Sequence, residues 1–168
     1  RYAFYTAQSY RDADMPEKAI EWYAKRANLG GWYEEVYYSL LQIALLKIEL
    51  NASLDEVQNL LLAAYEYRPQ RAESLYHLAR QLRYHNKARL AYIYATVAAN
   101  IPLSKDILFV DHAVYEWKAK EELAMSANSV GNYQLCHDLC IELLFNPAVP
   151  EPNRKLLLDN LKLAKEHL

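Results

Sequence analysis

The strongest constraint in this sequence is a helical period broken at regular intervals. Apolar residues recur at spacings of three and four along nearly its whole length, the signature of amphipathic helices. Breakers fall at Asp14-Met15-Pro16, Gly30-Gly31, Asn51-Ala52-Ser53, Pro69, His85-Asn86, Pro102, Gly131-Asn132 and from Pro147 to Pro152. They predict nine helical segments over 1–13, 16–29, 33–50, 54–67, 70–84, 87–100, 109–130, 132–146 and 152–168. Ser53 three residues before Glu56 forms a capping box, and Pro16 and Pro152 suit first helical turns. No alternating stretch is long enough for a strand, and only 3 glycines are present among 168 residues, too few for the turns of a sheet protein. The predicted class is all-α, with short connections that set neighbouring helices antiparallel.

The helix pairs repeat. A bulky residue, Leu and a small residue on a first helix, then Ala, an aromatic and a closing Pro on a second, is the tetratricopeptide (TPR) pattern. It is carried by Ala3, Thr6, Ala7, Tyr10, Ala19 and Tyr23, and then by Tyr37, Leu40, Leu41, Ala44, Val57, Leu61, Ala64 and Pro69. Leu75, Leu78, Ala79, Leu82, Ala91, Ala95, Ala98 and Pro102 fit it without a gap. The last copy runs Leu123, Ala124, Ala127, Gly131, Tyr133, Cys136, Cys140 and Pro147. Small residues at Ala7, Ala79, Ala91 and Ala124 allow paired helices to approach closely. The first-helix Trp is missing throughout, and Ile101 to Val110 lengthens the last connection. The expectation is one domain over 1–168: a right-handed TPR-like α-solenoid of about four hairpins (1–31, 33–69, 70–103 and 109–148). A capping helix over 152–168 closes it, burying Leu156, Leu157, Leu161 and Ala164 and exposing Lys155, Asp159, Lys162 and Glu166. Because Arg1 already reads as helix, with no Met and no cap, the expectation includes a longer parent protein.

Several function classes are excluded or weakened. A formal charge of −2 and a pI near 6.2 give no overall attraction to nucleic acid or anionic lipid. The apolar run from Ser39 to Ile48 stops short of a membrane span. Two cysteines without a secretory signal point to a reducing, cytoplasmic setting, in which Asn51-Ala52-Ser53 is turn chemistry rather than a glycosylation site. Asp12-Ala13-Asp14 matches a paired-carboxylate metal motif, but its place between helices favours a turn. Cys136, His137 and Cys140 lack a second ligand pair, so the two thiols read as packing residues. His77, His85, His112 and His167 form no spaced set. The sequence calls for no metal, no cofactor and no catalytic residue.

The first helix of each pair lines the inner groove of such arrays. The predicted groove residues are Phe4, Gln8, Arg11, Tyr38, Gln42, Tyr76, Arg80, Arg83 and Tyr84, with Arg1, Glu35, Glu73, Lys118, Glu121, Met125 and Asn128 on the same faces. Arg supplies planar donors for carboxylate or phosphate, and Tyr supplies flat contact area at low entropic cost. Two readings stay open. The groove accepts an extended, partly acidic peptide or an oligosaccharide, or its charges pair internally, Glu73 with Arg80 or Arg83. Arg68, Arg71, Arg80, Arg83, Lys87 and Arg89 form a local basic excess that could attract phosphate groups.

Longer phrases carry a more specific resemblance. Arg1-Tyr2-Ala3-Phe4-Tyr5-Thr6-Ala7-Gln8-Ser9-Tyr10-Arg11-Asp12, Glu21-Trp22-Tyr23 with Arg26, Leu29-Gly30-Gly31-Trp32, Glu34-Glu35-Val36-Tyr37-Tyr38, Ala64-Tyr65-Glu66-Tyr67-Arg68-Pro69, Arg71-Ala72-Glu73 and Asp106-Ile107-Leu108-Phe109-Val110 together resemble the TPR region that follows the catalytic domain in some family 2 glycosyltransferases of bacteria and large DNA viruses. The resemblance implies a nucleotide-sugar-dependent transferase whose catalytic domain lies upstream in cis. It implies no catalytic residue in this chain, and Asp12 and Asp14 do not stand for that domain's metal site. Chaperone-binding TPR proteins compare less well, since Phe4, Gln8, Tyr38 and Glu73 stand where their basic and Asn carboxylate clamp would be. The function expected is a non-catalytic scaffold that binds a protein, peptide or glycan acceptor. The alternatives are a stand-alone peptide-binding scaffold with no attached enzyme, and a fragment that itself transfers or hydrolyses a substrate, for which no constellation is present.

Overall fold

The computed structural model describes residues 1–168 and contains α-helices and one π-helical segment but no strand. The helices are α1 (Tyr2–Asp12), α2 (Pro16–Asn28), α3 (Tyr33–Glu49), α4 (Leu54–Tyr67), α5 (Glu73–Tyr84), α6 (Ala88–Asn100), α7 (Ala119–Ser129), α8 (Tyr133–Leu144) and α9 (Glu151–Lys165). The turn chemistry explains their ends. Asp14, Asn51 and Asn86 take positive φ values of 55°, 56° and 59°, the left-handed region that Asp and Asn tolerate better than other side chains. Gly30 and Gly31, at 61° and 84°, break the chain between α2 and α3. Ser53 accepts the Glu56 N–H at 3.2 Å, as the capping box requires, and α2 and α9 each carry Pro in the first turn.

The helices fall into two compact units. Unit 1 comprises residues 1–74 together with 104–110, and unit 2 comprises 75–103 and 111–168. In unit 1, α1 packs on α2, α2 on α3 and α3 on α4. Phe4, Ala7, Ala19, Tyr23, Ile43 and Leu46 form its core, with Leu60 and Leu108 packed against them. In unit 2, Ala79, Ala95 and Leu123 make one cluster. Trp117, Ala124, Ala127, Cys136, Cys140, Leu143, Val149, Leu157, Leu161 and Ala164 make another. The small residues of the repeat pattern are the sealed ones: Ala7, Ala19, Ala44, Ala64, Ala79, Ala91, Ala95, Ala124, Cys136 and Cys140 are all 0% exposed. Arg154 ties α9 to the end of α8 by donating to the carbonyl oxygens of Leu144 and Asn146, both at 2.6 Å.

Three expectations are corrected. The segment expected over 70–84 begins at Glu73, because residues 69–72 are drawn into a turn whose Arg71 is fully buried. The helix expected over 109–130 does not start at 109. Residues 104–110 are loop with a bend at Leu108 and Phe109, and a π-helical stretch at Val114–Lys118 precedes α7. Asp111 fixes this later start, its carboxylate accepting the Ala113 N–H at 3.1 Å and the Lys118 ammonium at 2.9 Å. Leu156, expected in the buried stripe of the last helix, is 43% exposed, while Leu157, Leu161 and Ala164 are buried.

Close approach at the sealed alanines predicts that Ala79→Leu overpacks its cluster and lowers unfolding stability by about 2 kcal/mol in urea titration. Ala63→Leu, at an exposed position of α4, changes it by less than about 0.5 kcal/mol.

Candidate functional site: a strapped helical face and a polar cleft

Four of the predicted groove residues converge in unit 2. Tyr76, Arg80, Arg83 and Tyr84 on α5 line a cleft of about 300 Å³ with Trp117 and Lys118 of the π-helical stretch. Glu121, Glu122 and Met125 of α7 and Asn153 and Leu156 of α9 complete it. Residues one turn apart on α5 face the same side, so its Tyr and Arg residues arrive together. The π-helical stretch shifts the register that α7 would impose alone, and it sets Trp117 and Lys118 at the rim. Lys118, Glu121 and Met125 stand on the face the helical period predicts, whereas Trp117 does not, because no period in the sequence announces a π-turn.

The charges in the cleft are unevenly satisfied. Arg83 forms a two-pronged pair with Glu122, Nε to Oε1 at 2.7 Å and Nη2 to Oε2 at 3.0 Å. Lys118 is committed to Asp111. Arg80 is exposed, donates from Nε to the Tyr84 hydroxyl at 2.9 Å, and has no ion pair. Glu121 accepts from Asn153 Nδ2 at 2.8 Å, and burial pushes its carboxyl above the usual carboxylate range. The cleft therefore offers one guanidinium without a carboxylate, flanked by tyrosine hydroxyls, beside Trp117, Met125 and Leu156.

The other five predicted residues belong to unit 1 and are arranged differently. Phe4 is 2% exposed and forms part of the core. Arg11 Nη1 donates to the Tyr38 hydroxyl at 2.8 Å, and the Phe4 and Tyr38 rings meet edge to face at 5.8 Å. Gln8 and Gln42 are partly buried on the same helices. The Tyr23 hydroxyl is buried and makes no hydrogen bond.

An extended segment of this chain lies over part of that face. Residues 104–110 are held there by both side chains and main chain. Asp106, its side chain only 4% exposed, receives a two-pronged pair from Arg68 at 3.0 and 2.5 Å and a further contact from Arg71 at 3.3 Å. Glu34 Oε2 accepts the Ile107 and Leu108 N–H groups at 2.9 and 2.7 Å. Arg71 donates to the carbonyl oxygens of Leu108 and Phe109 at 3.4 and 3.3 Å. Leu108 enters the unit 1 core, Ile107 points away at 83% exposure, and the Phe109 ring sits 4.8 Å from Tyr38 and 6.4 Å from Phe4. Phe109 has φ of 45°, a conformation that costs an aromatic residue about 1–3 kcal/mol and persists only where its surroundings impose it.

Arg71 anchors this arrangement. Its guanidinium is fully buried, donates from Nη2 and Nε to Glu73 at 2.7 to 3.1 Å, and lies 4.6 Å from the Tyr37 ring centre. Glu35, also buried, is matched by Arg26 at 2.7 Å. In the reading in which the groove charges pair internally, the partners differ from those named: Glu73 pairs with Arg71, and Arg83 pairs with Glu122. Of the six basic residues that could attract phosphate groups, Arg68, Arg71 and Arg83 are neutralised by carboxylates. Nothing in the sequence periodicity marks residues 104–110 as a strap. The available signals were Arg68, Arg71 and Asp106, charged residues flanking a Pro-containing turn and a long connection.

The remaining candidates find ordinary roles. Asp14 occupies the turn after α1, and Asp12 pairs with Arg11 at 2.8 Å. Cys136 and Cys140 are sealed in the core with their sulfurs 4.0 Å apart; burial pushes both thiols up, Cys140 to about 12. His137 is hydrogen-bonded to Asp138 at 2.9 Å.

Comparison with known protein families and with curated proteins finds no match. Solved structures do match. The nearly identical TPR-like repeats of a candidate kinesin light chain from Podosopora anserina align with a TM-score of 0.64 and 16% identity, covering 99% of this chain and 85% of that one. A point variant of those repeats gives a TM-score of 0.67 at 15% identity with the same coverage. At such identities the likeness is one of fold, and the fold is that of a TPR-like α-solenoid. No helix is long and apolar enough to cross a membrane.

Two predictions test this geometry. The hydrogen bond from Arg68, reinforced by the charges of Arg68 and Arg71, holds the Asp106 carboxyl below the usual range. Its stabilisation is therefore complete above the unfolded-state value near 4 and is lost as pH falls through the lower folded value. Asp106→Ala lowers stability by about 3 kcal/mol at pH 7, and the wild type loses that advantage between about pH 5 and pH 2 in denaturant titrations. Second, native protein at pH 8 resists iodoacetamide at both cysteines, whereas protein unfolded in urea is alkylated at both, read by mass spectrometry.

Proposed function

We propose that this chain is a non-catalytic interaction module that holds an extended, acidic protein segment in the unit 2 cleft. The observation that carries the reading is Arg80: an exposed guanidinium without a carboxylate partner, oriented by the Tyr84 hydroxyl. An incoming Asp or Glu side chain, or a terminal carboxylate, supplies the acceptor geometry that a planar guanidinium favours. Met125 and Leu156 add apolar contact beside it. The other predicted groove residues, Phe4, Gln8, Arg11, Tyr38 and Gln42, lie in unit 1 and are proposed as a second face suited to a peptide chain.

The wider setting is proposed on narrower support. Attachment to an upstream glycosyltransferase-like domain, with a glycan acceptor as a further ligand, is supported by the sequence phrases around Arg1–Asp12, Leu29–Trp32 and Ala64–Pro69 alone. A cytoplasmic location is supported by the two buried free thiols, which suit a reducing compartment. The lack of catalysis is supported by the ordinary structural roles of Asp12, Asp14, Cys136 and Cys140.

The test uses fluorescein-labelled heptapeptides of Asp, Glu and Leu, with Lys-for-acid versions as controls. Acidic peptides are expected to bind, and Arg80→Ala is expected to weaken them at least tenfold while leaving the thermal unfolding curve unchanged. Because Glu121 faces the same cleft with a raised carboxyl, affinity is expected to increase as pH falls from about 7 to 5, as protonation removes a like charge. Equal binding by wild type and Arg80→Ala, or preference for the Lys peptides, would overturn the assignment.

A further inference from the structure

The strap of residues 104–110 is treated by unit 1 as a ligand would be. The chain bends at Leu108 and Phe109, so that Asp106, Leu108 and the Phe109 ring all meet the helical face while Ile107 points outward. Two of its N–H groups and two of its carbonyl oxygens are satisfied by protein side chains, Glu34 and Arg71, and not by a helix or a turn. A connecting loop normally runs over the surface with its backbone in water. Here the acceptor and donors for that backbone are buried on the helical face itself: Glu34 is 5% exposed and Arg71 is sealed. Phe109 adds a ring over Tyr38 and Phe4, two residues expected from sequence to receive a ligand.

We infer that this face of unit 1 is a second peptide-recognition surface, separate from the unit 2 cleft, which reads a segment carrying Asp, then Leu two residues on, then Phe, with a bend at the Leu-Phe pair. Arg68 and Arg71 recognise the Asp, the core around Leu60 and Tyr23 receives the Leu, and Tyr38 with Phe4 receives the Phe. Glu34 and Arg71 grip the intervening main chain whatever the outward residue. The strap occupies this surface in cis, so a partner of the same pattern competes with it. A tethered segment acts at an effective concentration of about millimolar, which keeps the surface closed to weak ligands.

The probe is a fluorescein-labelled peptide copying residues 104–110, with the sequence Ser-Lys-Asp-Ile-Leu-Phe-Val. It is titrated against wild type and against a chain carrying Asp106→Ala and Phe109→Ala together, which weakens the cis strap and leaves Arg68, Arg71, Glu34, Phe4 and Tyr38 in place. Phe109→Ala alone, which keeps the Asp106 pairs, serves if the double variant does not fold by circular dichroism. The double variant is expected to bind at least tenfold more tightly than wild type, and Phe109→Ala at least threefold. A peptide in which both the Asp and the Phe are Ala is expected to bind either variant at least tenfold more weakly. Arg68→Ala added to the double variant is expected to weaken the peptide at least tenfold, which ties the binding to this surface and not to the cleft. No binding by folded variants up to about 1 mM peptide, equal binding to wild type and variants, or equal binding of the Ala-substituted peptide would overturn the inference.

Discussion

The buried guanidinium of Arg71 is the interaction on which unit 1 depends. It lies in the turn between α4 and α5, out of water, with Glu73 on one side, Asp106 on another and the Tyr37 ring beneath. An isolated charge there would cost several kcal/mol; paired and hydrogen-bonded, it becomes a fixed point. The network does not maximise stability, since apolar residues of similar volume could replace it without net loss. What it supplies is position. It holds the turn before α5 and the strap in one arrangement, and it leaves donors aimed at the strap's carbonyl oxygens.

The two candidate surfaces differ in a single physical respect, the fate of their charges. In unit 1 the arginines are matched, Arg68 and Arg71 by Asp106 and Arg26 by Glu35, and an extended peptide already lies in place. In unit 2 Arg83 is matched by Glu122, but the partners of Arg80 are tyrosines and it makes no ion pair. One surface thus displays how this protein holds extended chain. The other offers the same residue types, Arg beside Tyr, with no carboxylate paired to Arg80.

The fold was legible because it rests on local signals. Alanines and cysteines at close-packing positions, Asp, Asn and Gly at left-handed turns, and proline at first turns each act through their immediate neighbours, and each was found where its chemistry predicts. The cleft was half legible. Helical period placed Tyr76, Arg80, Arg83 and Tyr84 together, but not the π-helical stretch that brings in Trp117, since extra backbone register has no period of its own. The strap was illegible for a different reason. Its contacts join residues 34, 68, 71 and 106–109, far apart in sequence, and the residues concerned look like ordinary surface charges until the fold buries them. Glu34 shows this well: no period singles out this acid in the first turn of α3, yet it is buried and accepts the strap's N–H groups.

Amide hydrogen exchange at Ile107 and Leu108 tests the central claim most directly. Both N–H groups are donated to a buried carboxylate, so the account predicts exchange slowed at least a hundredfold relative to an unstructured peptide, with loss of protection when Arg71 is replaced by Met. Exchange of the two amides at the rate of free peptide, in protein whose α1 to α4 amides are protected, would contradict it.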